Sequence, residues 1–254
     1  MLMVNADDWG RSRLATDRAH SCHAAGRITS ASAMVFMKDS SRAAAMALDC
    51  GIDVGLHINL SEPFTSDAVP VSLRADHDRL CRFLGSSKYA LLLFNPLLTH
   101  PFKRVVQAQS EEFIRLYKRA PVRVDGHLHM HLASNVIIQR LVPAGTIVRR
   151  NFSFRPGEKS LLNRLYRRVI DAHLSRRHRT TDYFFSLANH LSAERLRHVV
   201  GLSVAARVEL MVHPELSDEY EFLMSDEYRQ VMTTATLSVP PLLHGSRVAG
   251  SSVN

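Results

Sequence analysis

The stretch that decides the fold reads Leu2-Met3-Val4-Asn5-Ala6-Asp7-Asp8-Trp9-Gly10, a short apolar run that ends abruptly in two adjacent carboxylates and a glycine. Such a run suits a strand buried on both faces of a parallel sheet. Polar groups delivered at the carboxyl end of such a strand stand where α/β barrels put their catalytic residues. The arrangement recurs. Asp53-Val54-Gly55-Leu56-His57-Ile58-Asn59-Leu60 alternates, with Asp53, His57 and Asn59 on one face and the aliphatic residues on the other. Asp125-Gly126-His127-Leu128-His129-Met130-His131 carries an acid or imidazole at every second position, so extended backbone would turn all four to one face. Glu209-Leu210-Met211-Val212-His213-Pro214-Glu215 brings His213 to a turn at which proline ends the strand.

Outward from these segments, apolar runs alternate with helix-length stretches. Strands are expected over residues 2–6, 30–36, 52–59, 122–127, 146–149, 183–185 and 208–212, and helices over 12–25, 40–48, 101–119, 135–141, 159–175, 193–200 and 225–234. The alternation predicts an α/β fold, a distorted or incomplete TIM-like (β/α) barrel in a single domain over residues 1–239, with an open doubly wound sheet as the alternative. A chain of 254 residues, 46% hydrophobic, suffices for one such core. Residues 62–99, rich in turn formers and without a clear strand, read as an insertion over the site. Residues 240–254 read as a frayed tail.

Three scattered cysteines, Cys22, Cys50 and Cys81, build no disulfide framework and suit a reduced, cytoplasmic setting. The chain shows no signal-peptide pattern and no apolar run long enough for a transmembrane segment. The apolar stretch 89–98, broken by Asn95 and Pro96, is expected to be a buried helix, with a membrane-touching loop as the alternative; exposure of Leu91 to Phe94 would favour a lipid-linked substrate. A net charge of +8 favours anionic partners. Arg164, Arg167, Arg168, Arg176, Arg177 and Arg179 read as a solvated helix face, with a nucleic-acid or phospholipid patch as the alternative. Nucleic acid is disfavoured, because the chain has no recognised motif and only 7% aromatics.

Neighbouring residues on extended backbone point to opposite faces, so Asp7 and Asp8 are expected to play different roles, one at a metal ion and one taking a proton. The plainer reading makes one of them the cap of the helix starting near Ser12. Asp125 could orient a ligating imidazole. Three imidazoles spaced along one strand do not easily reach one ion, so His127 is the expected ligand, with His129 and His131 hydrogen-bonding nearby or lining a cleft. A polar strand end with chance histidines is the alternative, given 14 His in the chain.

With these segments the sequence resembles the YdjC-like carbohydrate deacetylase family, which includes chitooligosaccharide and hopanoid-associated deacetylases. The family's Asn-Ala-Asp-Asp-Phe-Gly appears as residues 5–10, Gly-x-His-x-x-Leu as 55–60, Asp-Ser-His-x-His-x-His as 125–131 and Glu-Leu-Met-x-His-Pro as 209–214. Residues 29–34 and Arg149 also match. The resemblance implies a distorted TIM-like barrel and one divalent metal ion, magnesium or zinc, on Asp8, His57 and His127, with Asp7 as the base. Trp9 in place of Phe and Gly126 in place of Ser are departures that could alter substrate fit. The expected reaction is metal-dependent hydrolysis of an N-acetyl group from an acetamido sugar or oligosaccharide, with His213 protonating the departing nitrogen. Asp125, His129, His131 and Arg149 would support the site or touch substrate. Rival expectations are a metal-dependent phosphoesterase, which often uses two ions and more carboxylates, and a non-enzymatic basic binding protein. A homodimer is left open.

Overall fold

The computed structural model describes residues 1–154 and 158–238. Seven strands, β1 (Leu2–Trp9), β2 (Ser30–Ala33), β3 (Asp53–Ile58), β4 (Arg123–Gly126), β5 (Ile147–Val148), β6 (Tyr183–Ser186) and β7 (Val208–Val212), form one sheet in the order β5-β4-β3-β2-β1-β7-β6. Every neighbouring pair is parallel. That order runs once around a circle, as in a barrel, and breaks only between β5 and β6. There a single bridge from Ile147 to Arg179 and a 2.8 Å bond from Ser153 N–H to the Phe184 carbonyl stand in for a ladder. The sheet is a curled, incomplete TIM-like barrel, as expected.

Helices cover the outside: α1 (Arg13–Ala24), α2 (Ser40–Cys50), α3 (Val71–Gly85), α4 (Thr99–Tyr117), α5 (Ser134–Ile138), α6 (Leu161–Ser175), α7 (Ala193–Ser203), α8 (Ser217–Met224) and α9 (Asp226–Met232). Ser12, not an aspartate, caps α1 by accepting from the Ala15 N–H at 3.1 Å, so the tandem acids are free for other work. All eight residues of β1 are buried. Leu2, Val4 and Ala6 belong to the apolar core, whereas Asn5, Ser30, Ser32 and Arg123 form a buried polar network. Asn5 receives Ser30 Oγ at 2.9 Å and Arg123 Nη1 at 2.5 Å, and donates to Ser32 at 2.9 Å. Gly55 is required beneath this network, since a Cβ there would lie 2.9 Å from the Arg123 carbonyl.

Four expectations need correction or extension. Segment 62–99 contains the 15-residue helix α3, and α8 precedes the expected last helix. The stretch 89–98 is buried only at Ala90 and Leu98, and Leu92, Leu93, Phe94 and Leu97 are exposed. Trp9 lies wholly in the core, donating its ring N–H to the Ala43 carbonyl at 3.1 Å, and does not line the site. Strand β4 stops at Gly126 rather than running on through the histidines. The tail 240–254 lies outside the described residues.

Candidate active site

Backbone irregularity at the end of β1 builds the site. Ala6 pairs with Ala31 and Trp9 with Ala33, so three steps on β1 oppose two on β2 and one residue is extra. Asp8 takes a left-handed φ of 64°, followed by Gly10 at 86°. The bulge overturns the expectation of opposite faces. Both carboxylates now approach one imidazole, with Asp8 Oδ1 3.3 Å and Asp7 Oδ2 3.9 Å from His57 Nε2.

His127 Nδ1 lies 2.9 Å from Asp8 Oδ1. Asp8, His57 and His127 therefore offer donor atoms all within 4.8 Å of one another, a set that one divalent ion could bridge. His57 Nδ1 is held by Asp125 Oδ1 at 2.8 Å, leaving Nε2 to face the centre. A second acid–imidazole group, Asp7, His57 and Asp125, also falls within this span. It suits a cation poorly, because the buried Arg149 guanidinium is already there. Arg149 contacts both oxygens of Asp7 at 2.7 Å, Asp125 Oδ2 at 2.7 Å and Glu209 Oε1 at 2.7 Å.

The electrostatics suit a bound cation. Burial pulls the His57 pKa down, but the charges of Asp7 and Asp125 and its bonds to Asp125 and Asp8 outweigh burial and raise it to about 10. The same negative field would favour a cation there, which would have to displace the ring proton. Burial would raise Asp8, yet its bonds to His127 and His57 hold it well below the usual carboxylate range.

His213 stands across the mouth. Val212 pairs with Ala6, which brings His213 alongside Asp7, and its backbone N–H donates to Glu219 Oε2 at 2.7 Å. Its ring Nδ1 lies 3.6 Å from Glu219 Oε1. Burial lowers its pKa, but the Glu219 bond and the charges of Asp7, Glu219 and Asp8 raise it overall above the usual histidine value.

His129 and His131 do not join the donor set. A turn over His127–Leu132, with left-handed φ at Leu128 (50°) and His129 (59°), breaks the extended backbone that the alternation assumed. His129 packs edge-on to Phe152 at 4.5 Å and Phe184 at 5.6 Å. Buried His131 places Nε2 3.0 Å from the Arg149 carbonyl oxygen. Burial pushes both pKa values down, His131 to about 4.

Sequence reasoning missed four groups. Glu62 Oε2 approaches His127 Nε2 to 3.2 Å and accepts from Arg11 Nε at 2.8 Å; Arg11 lies 3.7 Å from Asp8. Glu219 supports His213, and Glu209 anchors Arg149. Glu209 lay inside a quoted motif, and Arg11 directly follows the Asp-Asp-Trp-Gly segment, so adjacency was the available signal. Glu62 and Glu219 carry no such mark.

Fold and site together define a parallel α/β barrel with a candidate Asp-His-His centre at the carboxyl ends of its strands. The chain belongs to the YdjC-like protein family, whose model matches residues 1–234. It is 29% identical to a carbohydrate deacetylase of Halalkalibacterium halodurans over 86% of each chain. It is 26% identical to a chitooligosaccharide deacetylase of Enterobacter sp. (strain 638), over 86% of this chain and 82% of that one. The match to the chitooligosaccharide deacetylase of Serratia marcescens, at 29% identity, spans about half of each: 54% of this chain and 52% of the relative. Among solved structures, a candidate cellobiose-phosphate cleavage protein of Enterococcus faecalis V583 shares the fold, with a TM-score of 0.64 at 17% identity over 93% of this chain and 96% of that one.

Proposed function

We propose that this chain is a carbohydrate N-deacetylase that uses one divalent ion, magnesium or zinc, on Asp8, His57 and His127 to hydrolyse an acetamido sugar or oligosaccharide. The observation that carries the reading is the convergence of those three side chains, from three strand ends, with donor atoms within 4.8 Å. The names of the relatives support the substrate class. When bound, such an ion polarises an acyl oxygen and makes water a better nucleophile at neutral pH.

The chain's own residues supply the rest. Asp7, fixed by two 2.7 Å bonds from Arg149, accepts the proton of the attacking water. Asp125 holds His57 in the tautomer whose Nε2 faces the centre. His213, whose protonated form Glu219 favours, donates to the departing sugar nitrogen. Arg11 and Glu62 brace the outer edge of Asp8 and His127. The free cysteines suit a reducing, cytoplasmic setting.

A two-ion phosphoesterase is less well supported, because among the described residues the second candidate donor group, Asp7, His57 and Asp125, already holds the Arg149 guanidinium. The test is acetate release from a panel of N-acetylated sugars, using protein stripped of metal and then resupplied. Restored release supports the reading; no release from any member with metal bound, together with hydrolysis of a phosphate ester, refutes it.

A further inference from the structure

Helix α6 meets the protein through a mixed face, with Leu174 in the core, Ile170 packed against it and polar residues beside them. Asp171 pairs with Arg150 at 2.9 Å and accepts from Asn151 N–H at 2.9 Å. Arg167 bonds Asn163 at 2.8 Å and lies over the Phe154 ring at 5.0 Å. Positions 163, 167 and 171 thus face inward, and Leu174 is the helix's one buried side chain. The opposite stripe is apolar and faces out: Leu161 is 79% exposed, Leu162 78%, Leu165 58% and Val169 59%. The helix thus carries, beyond the Ile170 and Leu174 it turns to the core, a second apolar stripe that stays exposed, where a usual surface helix is polar.

The exposed apolar loop after α3 lies along the neighbouring flank of α6. A cleft of about 290 Å³ separates them, lined by Tyr89 and Leu92 on the loop, Asn163 and Tyr166 on α6, and His129 and Phe152 at its floor. Its floor thus lies two residues from His127. Arg164 and Arg168 run along one edge of the stripe, and neither forms an ion pair among the described residues.

We infer that α6 and the loop over residues 89–97 form a docking surface for an anionic lipid bilayer. An outward apolar stripe edged by unpaired arginines has the composition of an interfacial helix, burying aliphatic side chains among acyl chains while the guanidiniums meet lipid phosphates. No helix among the described residues is long and apolar enough to cross a membrane, so the contact is peripheral. A second copy fits the stripe less well, because symmetric pairing would bring the Arg164 and Arg168 rows of two +8 chains together. The inference stands apart from the hydrolytic reading, since the surface uses none of the proposed catalytic residues.

The test is co-sedimentation of the full chain with vesicles of phosphatidylcholine alone or mixed with phosphatidylglycerol. Binding is expected to the anionic vesicles and to weaken with salt. It should fall by about tenfold or more in Leu161→Glu/Leu165→Glu and in Arg164→Glu/Arg168→Glu. These side chains are largely outside the core, and circular dichroism of both variants should match the parent. Absence of binding to anionic vesicles, or binding unchanged in both folded variants, overturns the inference. So does a dimer in sedimentation velocity that the leucine variant dissolves without any loss of vesicle binding.

Discussion

At the residue scale, Arg149 is the keystone: one buried guanidinium serves Asp7, Asp125 and Glu209. Replacing it by Met leaves three buried carboxylates without their counter-ion, and the expected loss is on the order of 3–5 kcal/mol in urea unfolding. Asp125→Asn is milder: it keeps the shape but removes the negative charge that holds His57 and turns one acceptor oxygen into a donor, so metal affinity should fall about 10–100-fold by calorimetric titration. His213 sets the alkaline limb in the proposed reaction. Against burial, its pKa is raised above the usual histidine value by Glu219 and the charges of Asp7 and Asp8, so activity falls as pH rises through that raised value. Glu219→Gln removes a raising influence and should move the limb to lower pH; an unmoved limb would separate His213 from the proton transfer.

At the level of elements, all seven strands were legible, because parallel strands buried on both faces read as compact apolar runs with abrupt polar ends. What the strand ends do was not legible. The bulge that turns Asp7 and Asp8 together depends on Asp8 adopting φ 64°, and the turn at His127–Leu132 depends on Leu128 and His129 doing likewise. Neither residue type announces that geometry. Gly126 gives a clue in retrospect: a Cβ there would lie 2.8 Å from the His131 backbone nitrogen. Gly126→Ser, which restores the family's usual residue, should therefore force the turn to shift, with a cost of about 1–3 kcal/mol by thermal unfolding and a lower acetate-release rate. The arginines of α6 read as a wet face, yet Arg167 points inward and Leu161, Leu162 and Leu165 outward, because helical periodicity shows that a stripe exists without showing which side meets the protein.

Across the whole molecule, the circular strand order brings residues from positions 8, 57 and 127 to one mouth, a proximity that strand ends suggest, whereas nothing in the sequence marks Glu62 and Glu219 as their neighbours. Their partners are chosen by loop paths rather than by strand register. If the mouth holds an ion, folding and metal binding are linked: an ion at about 100 times its Kd should add about 2.7 kcal/mol, a rise of roughly 5–10 °C in Tm for a chain of this size. His57→Ala should lose that rise. The most direct measurement of the central claim is the number of divalent ions bound per chain, by elemental analysis after dialysis, in the parent, Asp8→Asn, His57→Ala and His127→Ala. The account predicts one ion in the parent and a marked loss in each folded variant; two ions in the parent, or undiminished occupancy in all three variants, would contradict it.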